Sequence, residues 1–155
     1  MPIFTRHWVN PTTKLVDAAM LQRQGPVLQV EVSIPEALAK SYVQDGKPIP
    51  PPLIGFALID TGASITGVDL GKLTTLGLTP ISVADIGTPS GPSNKMGVYA
   101  CQIAFPGTPI PTRQFNTVTG SQLEPMGYLA LIGRDVLSDF QLVYNGVDGF
   151  WTLAF

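Results

Sequence analysis

Two short stretches of the chain hold residues whose types and spacing could do chemistry. In the first, Phe56-Ala57-Leu58-Ile59 is an apolar run followed at once by Asp60-Thr61-Gly62-Ala63-Ser64. A run of that length between turn signals reads as a buried strand, so a carboxylate is delivered straight out of the core. Such a placement is costly unless the carboxylate is bonded or used. The structural alternative is an Asx turn, in which Asp60 caps its own backbone and Gly62 supplies a positive φ. The chemical use is acid and base catalysis. An ionised carboxylate takes a proton from water, and a protonated one polarises a carbonyl and later protonates the leaving nitrogen. Two carboxyls about 3 Å apart divide these roles because they cannot both ionise. The chain contains one Asp-Thr-Gly, so a pair requires a symmetric homodimer in which Asp60 meets its copy across a two-fold axis.

The second stretch reads Leu129-Ala-Leu-Ile-Gly133-Arg134-Asp135-Val-Leu-Ser-Asp-Phe140, again an apolar strand running into a glycine and a helix-like turn. Asp-Thr-Gly-Ala after an apolar run, a glycine-rich middle and then Leu-Ile-Gly-Arg-Asp-Val-Leu resembles the retropepsin family of aspartic proteases, from about Val27 to the C-terminus. The resemblance implies an all-β, retropepsin-like closed barrel or sandwich with one short helix after each motif strand and a flap hairpin. It implies an aspartic endopeptidase, homodimeric, with Asp60 catalytic and water as nucleophile, no metal and no cofactor. Thr61 would hydrogen-bond across the dimer axis, Gly62 would leave room for the substrate backbone, and Ala63 would lie beside the dyad. Ser64 and the flap tip Thr88-Pro89-Ser90-Gly91 would hold an extended polypeptide by strand addition.

The sequence also departs from that pattern. Viral members commonly place an acid where this chain has Ser64, which leaves Arg134 without its expected partner. Pro89 and Pro92 should stiffen the flap. Asp135, opening a helix after Gly133-Arg134, is read as a cap for backbone N–H groups rather than a catalytic acid. Ala63 stands where the two-domain relatives commonly carry a hydroxyl donor to the catalytic carboxylate, and its lack predicts activity in mildly acidic solution. A noncatalytic peptide-binding or dimerisation module on the same fold is the rival from another class.

The elements that must position these residues follow from periodicity. Residues 1–25 are weakly patterned, with a short helix expected over Thr13 to Arg23, and read as an arm or packing segment before a 27–155 core, the whole being one domain. Val27 to Ile34 alternates as a half-buried strand, Glu36 to Tyr42 turns helically, and Pro48 to Pro52 is a stiff connector. Leu53 to Ile59 is the strand that presents Asp60. Val68 to Leu76 reads as a helix stopped by Gly77. Ile81 to Ala84 is a short strand, 86–97 the most turn-dense stretch, and Val98 to Phe105 the returning strand of a hairpin. Thr112 to Val118 is a further strand. A final hairpin turns at Asn145-Gly146. Its last strand, 150–155, is apolar on both faces, so it is expected to pair with the partner chain near the axis, beside residues 1–4.

Composition excludes several classes. Hydrophobic residues make up 45% and charged ones only 13% of 155 residues, at net charge −2, so no basic face is offered to nucleic acid or to an anionic membrane. Sixteen glycines and fifteen prolines favour turns and short strands over long helices. His7 and Cys101 are single, too few for a structural zinc site, and no Gly-x-Ser-x-Gly elbow accompanies the histidine. Cys101 reads as a small core residue. The sequence shows neither a signal-peptide pattern nor a membrane-length apolar run, so a cytoplasmic protein is expected.

Overall fold

The two motif strands, far apart in sequence, lie side by side and run in the same direction. β3 (Leu53–Ile59) pairs in parallel with β8 (Ala130–Ile132), Ala57 opposite Ala130 and Ile59 opposite Ile132. Both therefore leave the sheet at the same end, Asp60 from one and Gly133 from the other. The computed structural model describes residues 2–88 and 91–155.

Around this pair the chain is mostly sheet. β2 (Val27–Ser33) buries Leu28, Val30 and Val32 and exposes Gln29, the alternation of a strand with one face on a core, and it pairs antiparallel with β3. β4 (Gly67–Asp69) lies on the other side of β8, followed by β7 (Arg113–Ser121), β6 (Gly91–Ala104) and β5 (Ser82–Thr88). The order is thus β2-β3-β8-β4-β7-β6-β5, and Glu31–Ser33 of β2 also pairs with Gln102–Ala104 of β6, so the sheet folds back on itself. Val68, Cys101, Ile103 and Val118 are wholly buried inside it.

Helices are short. α1 (Ala18–Gln24) is capped by the Asp17 side chain, which accepts from the Met20 N–H at 3.2 Å, and α2 (Glu36–Gln44) fills the connection from β2 towards β3. α3 (Leu70–Thr75) and α4 (Arg134–Leu137) follow β4 and β8.

The structure differs from the sequence expectations in three places. The helix expected over 68–76 begins only at Leu70, because Val68 and Asp69 lie in β4, paired with its neighbours, while the Asp69 side chain caps the helix. The turn-dense stretch is largely strand. β5 and β6 stay paired from Ser82↔Val98 to Thr88↔Gly91, with Asp85 opposite Lys95, so cross-strand pairing overrides the local turn propensity. Pro89 and Ser90 of the expected flap tip lie outside the described residues. Finally, β10 (Phe150–Ala154) has both edges occupied within its own chain. β1 (Ile3–His7) flanks it on one side and β9 (Gln141–Asn145) on the other. The expected pairing of this strand with a partner chain has no edge to use, and of the apolar residues on its two faces that suggested it, Trp151, Leu153 and Ala154 are buried within the chain while Phe150 and Phe155 are half-buried.

Candidate active site

Asp60 is the first residue beyond β3, held there by its own N–H, which donates to the Ile132 carbonyl at 2.9 Å. It is half-buried, and its Oδ1 accepts from the Gly62 N–H at 2.8 Å. That bond is the Asx turn of the structural alternative. Gly62, however, does not adopt a positive φ. Its lack of a side chain serves the carboxylate, since a Cβ there would stand 3.0 Å from Asp60 Oδ1. Among the described residues Oδ2 has no hydrogen-bond partner, so the turn fixes one oxygen and not the other. Thr61 and Gly62 are exposed at the crest of the turn.

Arg134, whose acid partner is missing from the sequence, turns to the same loop. Its Nη1 donates to the Thr61 carbonyl at 2.7 Å and approaches the Gly62 carbonyl at 3.3 Å, while its backbone N–H donates to Ala63 O at 2.9 Å. The Thr61 carbonyl and the Gly62 N–H belong to one peptide unit. In a trans peptide these groups point in opposite directions, so the cation that fixes the carbonyl also aims the N–H at Asp60. Positive charge on the carbonyl side polarises the unit and strengthens its bond to the carboxylate.

Next to the loop, two further aspartates each accept three hydrogen bonds, Asp69 as a buried residue and Asp135 as an exposed one. Asp135 accepts from the Thr66 N–H at 3.0 Å, the Thr66 hydroxyl at 2.8 Å and the Val136 N–H at 3.0 Å, and the Thr66 hydroxyl accepts in turn from the Gly133 N–H at 3.1 Å. Asp135 thus binds mainly across to the loop rather than along its own helix. Gly133 permits this contact, because a Cβ would lie 2.7 Å from Ile65 C and 2.9 Å from Ile65 O and Thr66 N. Asp69, 4% exposed, accepts from Lys72 N–H at 3.1 Å, Leu123 N–H at 3.0 Å and Glu124 N–H at 2.9 Å. Sequence reasoning missed Thr66 and Asp69. The helix-cap pattern of Asp69 three residues before Lys72 could have found half of the latter's role. Its bonds to Leu123 and Glu124 have no local signal.

A cleft of about 180 Å³ opens beside the loop, with Gly62, Ala63 and Ser64 on one side and Ile86, Gly87 and Met96 of the β5–β6 hairpin on the other. Asp60 itself does not line it. Thr88 and Gly91 pair at the ends of their strands. Two larger grooves, of about 300 and 350 Å³, share Phe56, Gly127 and Tyr128, and none of residues 60–65 lines either.

The remaining candidate groups lie elsewhere. Cys101 is buried on β6, and burial pushes its thiol up to about 12, so it is a protonated core residue. His7 packs its ring 5.2 Å from Phe150. Among the described residues no three His, Cys, Asp or Glu side chains are grouped to hold a metal ion, and no helix is long and apolar enough to cross a membrane.

No family model matches the chain, and no curated protein matches it. Among solved structures it is similar to a retropepsin-like aspartic protease from Rickettsia conorii, at 12% sequence identity and a TM-score of 0.47, over 97% of this chain and 89% of that one.

Proposed function

We propose that the chain is an aspartic endopeptidase that works as a symmetric homodimer, two copies of Asp60 sharing a proton and activating a water. One observation carries this reading. A half-buried carboxylate leaves a core strand with one oxygen fixed by Gly62 and the other without a partner among the described residues, on a loop that Arg134 holds and that shares a cleft with Ile86, Gly87 and Met96 of the β5–β6 hairpin.

In the assembled pair, the ionised Asp60 takes a proton from water as the water oxygen attacks the scissile carbonyl carbon. The protonated copy hydrogen-bonds and then protonates the carbonyl oxygen, giving a neutral gem-diol. Collapse of that intermediate returns one hydroxyl proton to a carboxylate, the other carboxyl protonates the amide nitrogen, and the C–N bond breaks. The dyad ends with the single proton it began with. Thr61, exposed at the turn, would meet its copy across the axis, and an extended peptide would pair with a strand of the hairpin. Because one carboxyl must be charged and the other neutral, activity against pH is a bell.

A subunit-mixing experiment tests the shared dyad. Wild-type chain exchanged with an equal amount of Asp60→Asn should lose about half its activity per wild-type subunit, since random pairing puts half of those subunits in mixed dimers. Activity that stays constant per wild-type subunit after exchange would contradict a catalytic pair drawn from two chains.

A further inference from the structure

The cleft beside the Asp60 loop has walls of one chemistry and a floor of another. Ile65, Ile86, Met96 and Leu131 supply apolar walls. The floor is formed by Thr119 and Ser121, two residues apart on β7 and so on the same face of that strand. Their hydroxyl oxygens lie 3.4 Å apart, a long bond in which either can donate. Gly67, paired opposite Thr119, is what exposes them. A Cβ there would stand 3.0 Å from Ser121 Oγ and 3.2 Å from Thr119 Oγ1, in the space the cleft now occupies. Among the described residues, no charged side chain lines the cleft.

These features discriminate among occupants. A charged side chain would shed its hydration with no opposite charge to meet it. An aliphatic one would fill the walls but leave two hydroxyls with only their one long mutual bond. A carboxamide carries both an acceptor oxygen and donor hydrogens, and each hydroxyl can donate as well as accept, so it satisfies both at once while its methylenes lie against the apolar walls.

Resting on the endopeptidase reading, we propose that this cleft is a substrate side-chain subsite selective for Asn or Gln, with Thr119 and Ser121 as its specificity-determining residues. Neither touches the Asp60 turn through a hydrogen bond, so they set which peptide is cut rather than how. A site that hydrogen-bonds its substrate discriminates strongly against an analogue lacking the polar group, whereas an apolar pocket discriminates weakly.

The test uses the full chain and peptide libraries in which each position near the scissile bond carries Asn, Leu, Gln, Met, Asp or Lys. Asn with Leu and Gln with Met are close in shape, so each pair reports the amide alone. At one position wild type should favour Asn over Leu and Gln over Met by about tenfold or more in kcat/KM, with Asp and Lys poorest. Thr119→Val/Ser121→Ala should lose or reverse that preference, read as the kcat/KM ratios of Asn to Leu and of Gln to Met. Ser121→Ala alone, at a half-buried residue, gives the same readout in smaller measure should the double variant fail to fold. The same preference in wild type and variants, or an aliphatic preference in wild type, would overturn the assignment. A peptide array probed with Asp60→Asn separates the two levels. Amide-selective binding that Ser121→Ala weakens, with no cleavage by wild type, keeps the subsite and removes the endopeptidase. Cleavage with no amide preference removes the subsite alone, and neither binding nor cleavage removes both.

Discussion

Asp60 and Asp69 lie on either side of the same connection, and their surroundings are opposite. Asp69 is buried and accepts three backbone N–H bonds, two of them from a distant segment, Leu123 and Glu124. Asp60 is only half-buried and accepts one, from its own turn. Asp135, although exposed, sides with Asp69 in its bonding, with three donors of its own. A carboxylate that accepts three such bonds is an anchor, since most of the lone pairs that could receive a proton in a reaction are engaged in holding the fold. The carboxylate with an oxygen to spare, Asp60, is the one that the proposed endopeptidase would use, and the anchors fix the segments around it.

On that contrast, breaking the framework costs stability first. Gly133→Ala forces a methyl against backbone atoms of Ile65 and Thr66 that cannot swing aside, and should destabilise by about 3 kcal/mol or more in urea unfolding. Asp69→Ala leaves buried N–H groups unpaired and should cost about 3 kcal/mol, read the same way. A shift below about 0.5 kcal/mol at either position would erase the distinction between anchor and reagent.

Arg134 tests the link between the two regions. Arg134→Met removes the donor to the Thr61 and Gly62 carbonyls, so the Gly62 N–H is aimed less firmly at Asp60. The expected result is about a tenfold fall in kcat, equivalent to roughly 1.4 kcal/mol of positioning, with KM little changed. The Gly62 amide proton should move upfield in the nuclear magnetic resonance spectrum, and Arg134→Lys should recover part of both effects. An unmoved Gly62 resonance would show that the peptide unit is held by other means.

Cys101 sharpens the comparison from the other side, as an ionisable group buried without donors. Its thiol, at about 12 in the folded chain against 9.0 for the ordinary group, binds its proton more tightly when folded. The resulting stability is whole below pH 9 and falls as pH rises toward 12, by at most about 1.4 kcal/mol per pH unit. Unfolding free energies measured from mildly to moderately alkaline pH should therefore decline more steeply for wild type than for Cys101→Val, and parallel slopes would contradict it.

How much of this is legible in the sequence depends on the distance over which each signal acts. The apolar run into Asp60 and the one into Gly133 are local patterns, and β3 matches its expected bounds. That the two strands lie parallel and adjacent is carried by no local pattern. The arms of the hairpin are obscured because Gly87, Pro92 and Ser93 signal turns, whereas the pairing of Asp85 with Lys95 is a property of two strands together. Arg134 stands out by type, but a backbone carbonyl leaves no mark in the sequence, so its partners on the loop have no signal there. The pairing of β1 with β10 joins segments about as far apart as the chain allows, and although residues 1–4 are expected beside the last strand, no local pattern tells that both belong to one chain.

The most direct test of the contrast between anchor and reagent compares Asp60→Asn with Asp135→Asn, each assayed for peptide cleavage and for urea unfolding. Asp60→Asn should abolish cleavage while shifting stability by less than about 1 kcal/mol, because the amide oxygen still accepts the Gly62 N–H. Asp135→Asn should lose about 2 kcal/mol of stability, since one carboxylate oxygen that received a bond becomes a donor, yet retain cleavage wherever it remains folded. Cleavage that survives Asp60→Asn, or that is absent from wild type at every pH from strongly acidic to neutral, would contradict the account.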